Sequence, residues 1–265
     1  MQNRTTIVRP GKGIKRVVQM YAGGGVAGEL ARKVEPLLAD QAGVATRFID
    51  TDRPAGLPST RFFAVEPQHL PEEPDERLTL MLRDLGLSLD AYQTYRRQTG
   101  KGGVAQLPQI SHLATLWKLD DLVRVCDEDF RALAASVGGV GETVLATLST
   151  GAGGTGSAAV RNAGLASRIV CPTEAHVWHH FFITTSLLPT DRVTRRNRAL
   201  EHRQLVELSA LMKPGIAIRV PGRQTPIHRP GPDFIYLLAS SPAAPRTLDD
   251  VAQELAVAIR NLVTQ

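Results

Sequence analysis

Cysteine is scarce: Cys126 and Cys171 are the only two in 265 residues. Two thiols make no disulfide framework, so core packing must hold the chain together, and a reducing, cytoplasmic compartment is expected. No apolar run approaches the roughly 18 residues that a membrane span requires. The basic start, MQNRTTIVRPGKGIKR, has no apolar segment behind it, which argues against a secretory signal. Aromatic residues make up 5% of the chain, few for a surface that stacks single-stranded bases. Nucleic acid is therefore not an expected partner, although the net charge of +5 favours anionic ligands in general. Internal repeats and low-complexity segments are absent. So is the serine-hydrolase pattern G-x-S-x-G, which removes a nucleophilic hydrolase from consideration.

What is present is an alternation of strands and helices. KRVVQMY (15–21) reads as an apolar strand that runs into a glycine turn and an amphipathic helix. VATRFIDTD (44–52) and TRFFAV (60–65) read as strands, 74–98 as helical with a break near Gly86, and 98–111 as a loop. One long helical region is expected over 112–136. A strand follows at 142–149, then a helix from Ser157, a strand at 179–188 and a helix over 194–213. GIAIRV and DFIYLLAS read as strands separated by a proline-rich loop, and the final helix places Leu248, Val251, Leu255, Ala258 and Leu262 on one face. The pattern predicts an α/β fold: three layers, doubly wound around a mostly parallel sheet. A basic tail over 1–14 and a single domain over 15–265 are expected.

The stretch LATLSTGAGGTGSAAVRNAGLA (145–166) carries the strongest chemical signal. A strand, a glycine-rich turn and a helix start form an anion site, because free backbone N–H groups and the helix dipole converge there. Glycine lets the backbone approach phosphate oxygens without a Cβ in the way. Ser149, Thr150, Thr155 and Ser157 add hydroxyls. Segments 22–28 and 50–52 have related form, and three such segments at strand ends are more informative than one. A Walker A loop does not fit, since no lysine follows the glycines. GGGVAG (23–28) matches G-x-G-x-x-G at Gly23, Gly25 and Gly28, and Asp50 lies near the distance of a ribose-binding acid. A Rossmann-type NAD-binding oxidoreductase is therefore the alternative reading, with a non-catalytic interaction module as a third.

GAGGTGSA (151–158) resembles the signature loop GGGTG[ST]G of the tubulin/FtsZ superfamily. Gly151, Gly153, Gly154, Thr155, Gly156 and Ser157 match it, while Ala152 and Ala158 depart. VVQMYAGGGVAGEL, FIDTD, TGKGGVAQLPQIS, FFITTSLLPTDRVTRRNRALE and LDDVAQELAVAIRNLV are similar to further family segments in the same order, over about 15–263. The resemblance covers only the family's nucleotide-binding domain. It implies GTP or GDP with Mg²⁺ as ligands and self-association into an oligomer or filament. Carried over by position, Gly23, Gly24 and Gly25 would approach phosphates, and Gly151, Gly153, Gly154, Thr155, Gly156 and Ser157 would form the main cradle. Thr51 and Asp52 would lie near the terminal phosphate and Mg²⁺. Gly102 and Gly103 would close over it, Arg195 would approach ribose or phosphate, and Asp250 would face the guanine edge.

Two departures bear on what the resemblance implies. Where the family has a guanine-reading asparagine after its sixth strand, this sequence has LLASSPAAPRT, with Ser240 and Ser241 near that position. The family's acidic water-activating loop would begin after the last residue, Gln265. Nucleotide binding without efficient hydrolysis is the expectation, with GTPase activity depending on a partner domain that supplies such a loop. Other clusters have simpler readings. His176, His179 and His180 enter a strand without enough neighbouring ligands for a metal. Arg195, Arg196, Arg198 and Arg203 form either a solvated helix face or a phosphate or partner contact.

Overall fold

Strand β1 (Arg16–Gly23) is buried from Val17 to its end. It lies between β2 (Val44–Asp50) and β4 (Glu142–Thr150), parallel to both. The computed structural model describes residues 16–99, 108–138, 142–171, 176–189, 193–220 and 223–264. β3 (Phe62–Ala64) extends one side of the sheet beyond β2, and β5 (His176–Ile183) followed by β8 (Phe234–Leu238) extend the other. The order is β3-β2-β1-β4-β5-β8, all parallel. Apolar runs such as VVQMYA suit strands covered on both faces. A separate antiparallel pair joins β6 (Ala217–Ile218) to β7 (Ile227–His228). GIAIRV thus contributes two strand residues to a small outlying ribbon, and Gly215, with a φ of 77°, ends the preceding turn.

Alternation along the strands divides the core. Tyr21, Leu145 and Trp178 point to one face, against α5 (Leu119–Ser136) and α6 (Thr155–Val170). Met20, Leu148 and Phe181 point to the other, against α1 (Gly25–Leu37) and α8 (Leu248–Thr264). A β-strand's two-residue period requires this split. Trp178 is completely buried, and its ring lies flush on α6: a Cβ on Gly164 would stand 2.0 Å from it.

The first face also carries α2 (Glu76–Asp84), α3 (Leu89–Thr99) and α4 (Pro108–Trp117). The break near Gly86 separates α2 from α3, with Gly86 at a φ of 65°. The expected single helix over 112–136 is instead two, α4 and α5, divided at Lys118, and α4 begins at Pro108 inside the expected loop. Proline is well tolerated in a first helical turn, where its missing N–H costs nothing. α7 (Arg195–Leu211) follows β5 and sits beside the loop after β4. The expected tail over 1–14 lies outside the described residues.

Candidate functional site

The polypeptide runs from β1 to β2 on one side and from β4 to β5 on the other, so the sheet changes winding direction between β1 and β4. In open α/β sheets the crevice at the carboxyl ends of such a strand pair is where ligands bind. Both glycine-rich loops open there, since Gly23 is in register with Ser149. They touch backbone to backbone. A Cβ on Gly156 would lie 2.1 Å from the Gly23 carbonyl oxygen, and one on Gly23 would lie 2.3 Å from Val160 Cγ2. Gly151 is similarly tight, against Phe182 and the Cα of Glu201. These three glycines therefore have packing reasons for being glycine.

Gly25 and Gly153 differ. A Cβ on Gly25 would meet nothing within 4 Å, and one on Gly153 only Thr150 at 3.9 Å. Between the loops, Gly24 takes a φ of 81°, a conformation glycine adopts at little cost. It is the N-cap of α1, and Gly154 is the N-cap of α6; neither end has a side-chain cap or an acidic residue in its first turn. Three other helix starts are closed by side chains: Asp75 accepts from Leu78 N at α2, Ser88 from Ala91 N at α3, and Thr194 from Asn197 N at α7; α5, without a side-chain cap at Lys118, has Asp120 and Asp121 in its first turn instead. Two helix N-termini with positive partial charge thus face one crevice, and neither helix carries an acidic residue in its own first turn to offset it.

Neighbouring elements hold the second loop in shape. Ser111 Oγ on α4 donates to the Thr155 carbonyl at 3.1 Å, and Asn197 Nδ2 on α7 donates to the Ala152 carbonyl at 3.2 Å. Thr150 Oγ1 accepts from Ala152 N, and Ser157 Oγ donates back to the Gly153 carbonyl. Ser111 and Asn197 were not singled out by motif. Their contacts span 44 and 45 residues, and only the Thr194–Asn197 spacing of a helix cap was visible in the sequence.

The end of β2 adds oxygen ligands. Asp50 Oδ1 accepts from Thr51 N at 2.8 Å, and its carboxyl lies beside the Thr155 hydroxyl. Burial raises its pKa, with the Asp52 charge pushing the same way. Thr51 Oγ1 lies 3.4 Å from an oxygen of Asp52, whose side chain is exposed. Arg195, the exposed first residue of α7, is two positions from the asparagine that holds the loop. Asp250 has a second occupation: its Oδ2 accepts from both Thr247 N and Thr247 Oγ1 at 2.8 Å, while Thr247 Oγ1 accepts from Asp250 N. That reciprocal pair caps α8 and holds the Asp250 carboxyl below its ordinary pKa. Ser240 Oγ accepts from Arg246 N, folding the loop after β8 onto itself. Gly102 and Gly103 lie outside the described residues.

The histidines of β5 belong to the interior. His180 Nδ1 is 2.7 Å from Thr147 Oγ1, and its Nε2 is 3.3 Å from Ser149 Oγ. His176 lies 3.0 Å from both Thr143 Oγ1 and Ser167 Oγ. His179 stacks on Phe234 and Tyr236. Burial lowers the pKa of His176 and of His180 to about 3 each, so both rings are neutral.

No protein-family model and no curated protein matches this sequence. The fold is similar to that of CetZ1 from Haloferax volcanii, solved as a GDP-bound monomer, with a TM-score of 0.46 and 11% identity over 92% of this chain. It is also similar to TubZ of Clostridium botulinum phage c-st, with a TM-score of 0.44 and 13% identity over 93% of this chain. Both belong to the tubulin/FtsZ superfamily. The chain spans 58% of each of those proteins. No helix among the described residues is long and apolar enough to cross a membrane.

Proposed function

We propose that this chain binds a guanine nucleotide, GTP or GDP, in the crevice between the loops after β1 and β4. The observation that carries the reading is the meeting of two helix starts without side-chain caps, over glycines whose Cβ positions are open. Such an arrangement suits a polyphosphate: N–H groups and helix dipoles supply the attraction, and the missing side chains supply the room. The resemblance of GAGGTGSA to a phosphate-binding signature gives the nucleotide its guanine.

The carboxylate and hydroxyl oxygens of Asp50, Thr51, Asp52 and Thr155 suit a hard cation such as Mg²⁺, which takes one or two carboxylates together with phosphate oxygens and water. Thr51 and Asp52 are proposed to hold it. Arg195 is proposed to approach the ribose or a phosphate. Asp250 is proposed at the base only in so far as a ligand can draw it from Thr247. Head-to-tail self-association follows from the resemblance and belongs to the same proposal.

The alternative has an observation of its own. The strand order is that of dinucleotide folds, and Asp50 ends β2, where a ribose-binding acid stands in them. Its Oδ1 is already used by Thr51 N, and the second glycine loop has no part in that reading.

Gly25→Val and Gly153→Val separate site from scaffold, since neither side chain meets a close protein neighbour. The purified chain is denatured to identify released nucleotide, then titrated with GTP, ATP and NAD in Mg²⁺. Both variants should keep the melting temperature and lose GTP affinity by about tenfold or more, roughly 1.4 kcal/mol or above. Undiminished GTP affinity in both would reject the site. ATP preference would retain the cradle and change the base, whereas NAD binding would promote the dinucleotide reading.

A further inference from the structure

A groove on the far side of α6 from the sheet runs between α2, α4 and α7. Its two adjoining hollows, about 330 and 210 Å³, share Asp84, Leu85, His112 and Arg161. It lies outside the glycine-loop crevice, and the nucleotide reading leaves it without a use.

The groove contains buried polar atoms without partners. Arg161 Nε has no hydrogen-bond partner, and His112 Nδ1 has no close one, its nearest polar neighbour being the Asn162 side chain. His112 is only 8% exposed and lines both hollows. Buried polar atoms are nearly always satisfied, so several together require a reason. Glu207 answers Arg161 poorly: its carboxylate is 3.4 Å from Arg161 Nη1 but 2.8 Å from Arg203 Nε. Burial lowers the Arg161 pKa, and Glu207 offsets this only in part. Burial, reinforced by the Arg161 charge, also pushes the His112 pKa well down, leaving a neutral ring able to donate one N–H.

The charges and shape narrow the ligand. Arg161, Arg203 and Arg219 face the groove against Asp84 and Glu207, a balance of one positive charge. A dianionic phosphate would be repelled by the two carboxylates. A single carboxylate matches one guanidinium edge with two parallel acceptors. Leu85, Leu200 and Leu211 supply apolar wall beside it. We propose that the groove is a binding site for a small amphipathic carboxylic acid, with its carboxylate on Arg161 and His112 and its apolar body along α7. The volume is at the small end of those used for organic ligands.

Benzoate and indole-3-acetate, each paired with its primary amide, are the probes, used with the full chain in saturation-transfer NMR. The acids should receive saturation and bind at least about tenfold tighter than the amides. Arg161→Met should abolish that preference while the melting temperature holds or rises, because a poorly paired buried cation has been removed. Ala210→Trp changes an exposed position on the groove rim and should block both acids without altering a charge. Equal binding of acid and amide, acid binding retained in Arg161→Met, or no transfer to either acid would overturn the proposal.

Discussion

Two clusters of buried polar side chains flank α6, and they are completed in opposite ways. Between the sheet and α6, Thr147 Oγ1 accepts from Trp178 Nε1 at 2.7 Å, His180 bridges Thr147 and Ser149, and His176 bridges Thr143 and Ser167. On the outer side, Arg161 Nε has no partner and His112 Nδ1 no close one, and both side chains line a hollow. Both clusters hold buried polar atoms and both contain histidine, so neither property distinguishes a structural network from a site. Satisfaction of the hydrogen-bonding groups does. A closed network stabilises one arrangement of the core, whereas an open one leaves interactions for something else to complete.

Perturbing the closed side should have the largest effect. Thr147→Val preserves shape but leaves the Trp178 N–H without an acceptor and removes a partner from His180. Each orphaned group costs about 1–3 kcal/mol, so a loss of roughly 2–6 kcal/mol is expected in urea unfolding. A loss below about 1 kcal/mol would mean that the network is slack.

Acid should test the same cluster next. His176 and His180 have folded pKa values of about 3, and His179, on the opposite face of β5, one of about 4, all below the ~6.5 of an unfolded chain. Between those limits the unfolded chain binds more protons, so stability falls as pH drops below about 6.5 and continues falling towards 3. Each ring contributes a slope approaching ~1.4 kcal/mol per pH unit. In His180→Asn the decline of melting temperature between pH 6 and pH 4 should become shallower. An unchanged decline would remove His180 from the account.

The open side should respond least. Arg161→Met is expected to shift unfolding free energy by no more than about 1 kcal/mol, in the stabilising direction if in either. Destabilisation of several kcal/mol would show that the guanidinium is a structural member, and the distinction between the two clusters would fail.

Local signals carried much of this architecture into the sequence. Small residues at strand ends marked both glycine loops, and apolar alternation marked the parallel core. The division of α4 from α5 was not legible, because Lys118 is neither glycine nor proline and the turn's polar contacts, Lys118 with Glu66 and Arg77 with the Trp117 carbonyl, come from distant parts of the chain. β5 begins at His176 rather than 179, since its first residues are polar but find partners on β4 and α6. At the site, the residues visible by motif were those close to one another in the chain. Asn197 and Ser111 act across long separations, and no spacing rule exposes them. Asp250 shows the converse: the resemblance places it at the guanine edge, while its reciprocal pair with Thr247 is a local cap announced by the T-x-x-D spacing.

The contact between Gly23 and Gly156 has a consequence for how this crevice can change over generations. A Cβ on Gly156 would meet the Gly23 main chain, and one on Gly23 would meet both the Val160 side chain and the Gly156 main chain, so a larger side chain at one cannot be accommodated by a smaller one at the other. Compensating pairs are unavailable, and neither position can drift while its counterpart stays in place. Gly25 and Gly153 meet no comparable obstacle within the chain. In a collection of divergent copies, positions 23 and 156 should remain glycine wherever the fold survives. On the proposed nucleotide reading, positions 25 and 153 should remain glycine only where the crevice still binds its ligand.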